Sequence, residues 1–155
     1  MENSILKNKN CLITGATGGL GKEIAVELAK KGVNLFLTSK KEDLQKLQLE
    51  IKKNNNEIIV EYQCVDLRCD DGVKTLIKNV HEKFSSVDIL INCAGENHRK
   101  PLSESTIEEF DSCMNLNVRA PFVLSKEFSK DMIENKWGRI VNIASSTIKF
   151  FNCTF

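Results

Sequence analysis

The chain has 155 residues, and its 22 lysines and arginines against 21 aspartates and glutamates leave a formal net charge of +1. That balance excludes the cationic excess of a nucleic-acid or anionic-membrane binder. With 41% hydrophobic residues, 28% charged residues and two prolines, a disordered or fibrous chain is excluded as well, and the length suits one domain over residues 1–155.

The cysteines, Cys11, Cys64, Cys69, Cys93, Cys113 and Cys153, include no Cys-x-x-Cys pair, and the chain has only two histidines. No metal site and no disulfide framework is expected; the thiols read as small buried groups of a reducing cytosol. The start lacks the apolar core of a signal peptide, and no run approaches the ~18 apolar residues of a membrane span. A cytoplasmic protein without a membrane partner is the expectation.

In chain order, Leu12-Ile13-Thr14 reads as a strand, followed by a glycine turn and a helix with Leu20, Ile24, Ala25, Leu28 and Ala29 on one face, stopping at Gly32. Val33–Leu37 is the next strand, and Leu44, Leu47 and Ile51 stripe a charged helix that runs into Asn54-Asn55-Asn56. Ile58–Tyr62 is a third strand. Asp70 or Asp71 can cap a helix carrying Val73, Leu76, Ile77, Val80 and Phe84, and Val87–Ile91 makes a fourth strand. Ser105-Thr106-Ile107-Glu108 resembles a capping box, opening a helical region to about Asn135 with a break near Pro121. Its stripe Leu124, Phe128 and Met132 reads as core or subunit interface, and Arg139–Ile143 is a fifth strand. Strands alternating with amphipathic crossovers predict an α/β fold, a doubly wound parallel sheet of the Rossmann type with about five strands. Ligands of such sheets bind beyond the carboxyl ends of the strands.

After the first strand comes Thr14-Gly15-Ala16-Thr17-Gly18-Gly19-Leu20-Gly21. A glycine-dense turn that follows a strand and opens a helix lets backbone amides approach a pyrophosphate, although plain helix starts also use such turns. After the second strand, where an acid would accept hydrogen bonds from an NAD ribose, stand Thr38, Ser39, Lys40 and Lys41. A hydroxyl and cations suit a 2′-phosphate, so NADP is preferred with NAD possible; the bland alternative is a solvated lysine face. Asp66-Leu67 follows the third strand, where a carboxylate can accept from an adenine amino group. Asn92-Cys93-Ala94-Gly95 follows the fourth, and its small Ala94-Gly95 pair lets backbone lie flat against a nucleoside.

Together these motifs resemble the short-chain dehydrogenase/reductase family, of the 3-oxoacyl-carrier-protein reductase type. Thr14-Gly15-x-x-x-Gly19-x-Gly21 matches the family's cofactor turn and Asp66-Leu67 its adenine contact. Asn92-Cys93-Ala94-Gly95 matches its Asn-Asn-Ala-Gly segment with one substitution, and Gly138–Ile143 its fifth strand. The resemblance implies hydride transfer between a nicotinamide and the carbon of a small-molecule carbonyl or secondary alcohol. It assigns cofactor binding to Gly15, Thr17, Gly18, Gly19, Leu20, Gly21, Ser39, Lys40, Asp66, Leu67, Asn92, Ala94 and Gly95. It assigns the catalytic asparagine to Asn117, with Asn115 as the neighbouring register, and the catalytic serine to Ser145, with Ser146 beside it. Homo-oligomers through the helix after Asn117 are also implied.

The family's proton donor and its lysine form a Tyr-x-x-x-Lys motif roughly a dozen residues past the serine, on one helical face. Phe155 is reached first, and the one tyrosine, Tyr62, lies in the third strand. The expectation is therefore a chain truncated relative to the family and inactive or nearly so alone. A complementing C-terminal half, a non-catalytic nucleotide-binding or interaction module, and the remnant of a split or frameshifted gene are the alternatives. His98 is expected to be an exposed loop histidine.

Overall fold

The computed structural model describes residues 5–40, 43–98 and 100–144. Strands β1 (Asn10–Thr14), β2 (Asn34–Ser39), β3 (Val60–Cys64), β4 (Ile89–Asn92) and β5 (Arg139–Asn142) form one sheet in the order β3-β2-β1-β4-β5. Every neighbouring pair is parallel. Between them run α1 (Gly19–Lys30), α2 (Leu44–Asn54), α3 (Asp70–Lys83), α4 (Ile107–Met114) and α5 (Ala120–Glu134). The chain moves outward from β1 through β2 to β3, then returns to β4 on the other side of β1. That reversal is the topological switch of a doubly wound sheet.

Period-two alternation divides the strand residues between two cores. Cys11, Ile13, Leu35, Leu37, Ile89 and Ile91 face Ala25, Ala29, Leu44, Leu47 and Ile51 of α1 and α2. Leu12, Phe36 and Leu90 face Val73, Leu76, Val80, Leu124, Phe128 and Met132 of α3 and α5. The stripe Leu124, Phe128 and Met132 is thus core, while Phe122 and Ile133 are the exposed apolar residues of α5. At the amino edge Asp88 joins neighbouring strands, accepting from the Asn10 N–H at 2.9 Å and pairing with Lys9 at 3.0 Å.

Several predicted details are corrected. Leu20 is exposed, because α1 rests on its small-residue line Gly21, Ala25 and Ala29, which brings the helix close and leaves the neighbouring line at the rim. Strand β3 starts at Val60, two residues later than expected, because the Ile59 N–H is taken by the Asn34 side chain at 2.9 Å. Cys69 occupies the N-cap of α3 with no side-chain cap, and Asp70 and Asp71 stand in the first turn, where their charge opposes the positive end of the helix dipole. The capping box of α4 lies one residue further on than predicted: Thr106 accepts from the Glu109 N–H while the Glu109 carboxylate accepts from the Thr106 N–H. The break expected near Pro121 is present as the wider π-turn Asn115–Arg119, which ends two residues before it, with Pro121 in the first turn of α5. Cys64 and Cys69 are exposed rather than buried.

Because Phe128 is fully buried between α3 and the sheet, Phe128→Ala is expected to lower unfolding free energy by about 3–5 kcal/mol. Urea denaturation measures this, with the exposed Leu49→Ala as a control staying within about 0.5 kcal/mol of the parent.

Candidate nucleotide-binding site

The parallel register aligns Gln63, Thr38, Thr14, Asn92 and Asn142 in a single row across the carboxyl edge of the sheet. Thr14 stands at its centre. The buried Thr14 Oγ1 accepts from the N–H groups of Cys93 and Ala94, each at 3.1 Å, and donates to the Ile91 carbonyl at 3.5 Å. This hydroxyl joins the end of β1 to the loop after β4, across the switch point. Sequence reasoning placed Thr14 in the glycine motif but gave it no role, since a threonine between an apolar strand and a glycine turn carries no distinguishing signal of its own.

Gly15 has φ +67°, and a methyl group there would lie 2.8 Å from the Ala94 backbone nitrogen and Cα. The turn therefore lies flat on the backbone of residues 93–94, as close as two main chains can pack. Gly21 is equally constrained, because a Cβ would strike the Gly15 carbonyl oxygen. Gly19 differs: nothing lies within 4 Å of where its Cβ would be. The N-cap Gly18 offers no side-chain oxygen, and the first turn of α1 contains no acidic residue. A helix start with uncapped amides, no local negative charge and open space beside Gly19 fits a phosphate.

At the end of β2 the Thr17 and Ser39 hydroxyls are hydrogen-bonded at 2.7 Å, and the Ala16 N–H donates to the Thr38 carbonyl at 3.0 Å. Lys40 is exposed, its Nζ 3.6 Å from Asp66 Oδ2. Lys41 lies outside the described residues. Asp66 is held by Arg68, which sequence reasoning did not single out: the Arg68 N–H and Nε donate to Oδ1 at 3.0 and 2.9 Å, and Nη2 to Oδ2 at 2.5 Å. Those hydrogen bonds, led by the guanidinium, lower the Asp66 carboxyl to about 2. Much of its acceptor capacity is thereby occupied. Leu67 is buried in the core shared by α3 and α5. Beside it a cleft of about 130 Å³ is lined by Arg68, Val73, Ala120 and Val123. That volume suits part of a nucleotide, since whole-ligand pockets run to ~300–1,000 Å³. Asp70 and Arg119, also on its lining, form a bidentate pair with both bonds at 2.8 Å.

The Asn92 amide serves the sheet, donating to Asn142 Oδ1 at 2.8 Å and to Ser125 Oγ at 3.4 Å, while its own Oδ1 is buried without a protein partner. Burial pushes the neighbouring Cys93 thiol up, away from a reactive thiolate. Gly95 and Asn117 are brought together: a Cβ on Gly95 would lie 3.3 Å from Asn117 Oδ1. Asn117 sits in the π-turn. Its Oδ1 accepts from the Glu96 N–H at 3.0 Å and its Nδ2 donates to the Glu96 carbonyl at 2.8 Å, so one side chain clamps the loop after Gly95. Ser145 and Ser146 lie outside the described residues. Tyr62 is on β3, at the opposite edge of the sheet from β5.

The depressed Asp66 value fixes the sign of a pH effect. Its ion pair with Arg68 contributes stability that is full above the unfolded-state value of ~3.9 and is lost as pH falls through about 2. Because both groups are substantially solvated, Arg68→Ala is expected to cost at most ~1 kcal/mol at neutral pH and progressively less on acidification. Side-chain carboxyl NMR titration should show Asp66 returning toward ~3.9 in that variant.

A family model described as short chain dehydrogenase matches residues 9–152. The chain is 35% identical over 141 residues to the 3-oxoacyl-acyl-carrier-protein reductase FabG of Buchnera aphidicola subsp. Schizaphis graminum, covering 90% of this chain and 56% of that protein. Among solved structures it resembles a metagenomic short-chain oxidoreductase in complex with NADP, at TM-score 0.84 and 30% identity over 90% of this chain and 62% of the other. It also resembles an NAD+-bound xylitol dehydrogenase, at TM-score 0.81 and 29% identity over 91% of this chain and 54% of the other. The chain spans about half the length of the curated relatives it matches. Sheet order, glycine turn and sequence likeness thus agree, and the chain belongs to the short-chain dehydrogenase family of oxidoreductases.

Proposed function

We propose that this chain is the nucleotide-binding part of an NADP(H)-preferring oxidoreductase acting on a carbonyl or secondary alcohol. The observation that carries the cofactor preference is the end of β2, where the Thr17 and Ser39 hydroxyls meet beside Lys40. Hydroxyl donors and a cation favour a 2′-phosphate, whereas a ribose diol calls for a carboxylate at that point. The amides at the start of α1 bind the pyrophosphate, and Gly19 keeps the approach open. Ala94 and Gly95 give the nucleoside a surface without side-chain bulk.

When bound, the nicotinamide supplies or accepts the hydride. Asn117 holds the loop after Gly95 through both ends of its amide. By family resemblance Ser145 orients the substrate oxygen. The only tyrosine of the sequence, Tyr62, is on β3 at the edge of the sheet opposite β5, so it is not placed to serve as the proton donor. A purely nucleotide-binding module is the second reading, and the position of Tyr62 is what favours it. Nothing in the near-neutral charge balance calls for a nucleic-acid partner.

Titration of the purified chain with NADPH and NADH, followed by nicotinamide fluorescence, tests the reading. Saturable binding with NADPH the tighter ligand is expected, and neither cofactor binding would sink it. Ser39→Asp should weaken NADPH by at least about tenfold through like-charge repulsion and spare NADH. Gly21→Val should abolish binding of both, since its side chain would displace the Gly15 carbonyl.

A further inference from the structure

The loop after β4 and helix α4 bring together three side chains that neither the cofactor site nor the core requires. Glu96, His98 and Cys113 place one carboxylate oxygen, one imidazole nitrogen and one sulfur within 4.8 Å of one another. His98 Nε2 lies 3.7 Å from Glu96 Oε1, and Cys113 Sγ lies 3.8 Å from the Glu96 carbonyl oxygen. We propose that these three residues bind a divalent transition-metal ion of the zinc class.

The donor set selects the ion. A thiolate and an imidazole with one carboxylate are borderline-soft ligands, suited to zinc or cobalt and unsuited to magnesium or calcium, which take oxygen shells. In a tetrahedral site with Zn–N, Zn–O and Zn–S bonds of ~2.0–2.3 Å, ligand atoms stand ~3.3–3.8 Å apart. The present cluster closes to that size by a movement of about 1 Å, within reach of the partly exposed His98 and Cys113 side chains. Coordination replaces the Cys113 thiol proton, which leaves to solvent. Three protein ligands leave the fourth position to water or another small donor.

The surroundings are built for orientation. The Ser112 hydroxyl donates a short hydrogen bond to Glu96 Oε1, fixing the carboxylate as an outer-shell partner does. Arg68 Nη1 lies 3.6 Å from Oε2, an ion-pair distance too long for a hydrogen bond, so lone pairs of the carboxylate remain for a metal. The Glu96 backbone is held on both sides by Asn117. A metal here would therefore fasten the loop after β4 to α4 through a second set of contacts, close to the crevice and distinct from it. Sequence inspection found no metal motif because the ligands come from two elements and follow no Cys-x-x-Cys or His-x-x-x-His spacing.

Cobalt titration of the purified, reduced chain tests the site directly. Saturable visible absorption of a tetrahedral ion, with a thiolate-to-cobalt band in the near ultraviolet and displacement by zinc, is expected. Cys113→Ser should abolish the thiolate band, His98→Ala should weaken cobalt binding at least ~10-fold, and the exposed Cys69→Ser should change neither. Far-ultraviolet circular dichroism of each variant confirms that the fold persists. The proposal fails if the parent chain gives no saturable spectrum, if the thiolate band survives Cys113→Ser, or if His98→Ala binds cobalt as the parent does.

Discussion

The contact between the end of β1 and the loop after β4 is the constraint on which the rest of the crevice depends. Thr14 satisfies two backbone N–H groups of that loop with one oxygen, and Gly15 removes the side chain that would hold the two main chains apart. Buried amides left unpaired cost ~1–3 kcal/mol each, so this hydroxyl stabilises an arrangement that an alanine there could not. With the turn pressed against residues 93–94, Gly21 can pass the Gly15 carbonyl and α1 can begin over the sheet, its amides directed at the space a phosphate would fill.

From that junction the site extends in two directions. Toward β2, the Thr17–Ser39 hydroxyl pair and Lys40 set the charge at the far end of the crevice, and Arg68 holds Asp66 ionised at the end of β3. Toward α4, Asn117 secures Glu96, and the same stretch of loop carries His98 to Cys113. The π-turn is what makes this geometry available. An extra residue in the turn swings Asn117 toward the loop while α5 continues on its core-facing stripe of Leu124, Phe128 and Met132.

The sheet and its two cores were legible in the sequence because period-two alternation of Cys11–Ile13 against Leu12, and of Leu35–Leu37 against Phe36, survives small errors in strand ends. The glycine turn was legible for a similar reason: Gly15 and Gly21 are forced by backbone contact, so residue type reports geometry. What escaped notice depends on which side chain wins a local competition or meets a distant one. Thr106 rather than Ser105 caps α4, Asn34 takes the N–H of Ile59, and Arg68 closes on Asp66. Glu96 and Cys113 lie 17 positions apart and meet only after the loop has folded back on α4. The hydrogen bonds of Asn92 to Asn142 and Ser125 were not legible either, because those partners lie 50 and 33 positions away.

The most direct test of the central contact is hydrogen exchange at the Cys93 and Ala94 amides in Thr14→Val, with NADPH affinity measured on the same protein. The account predicts that both amides lose protection, the remaining sheet amides keep theirs, and NADPH binding weakens by about tenfold or more, the equivalent of one lost buried hydrogen bond or two. Retention of full NADPH affinity with those amides freely exchanging would contradict it.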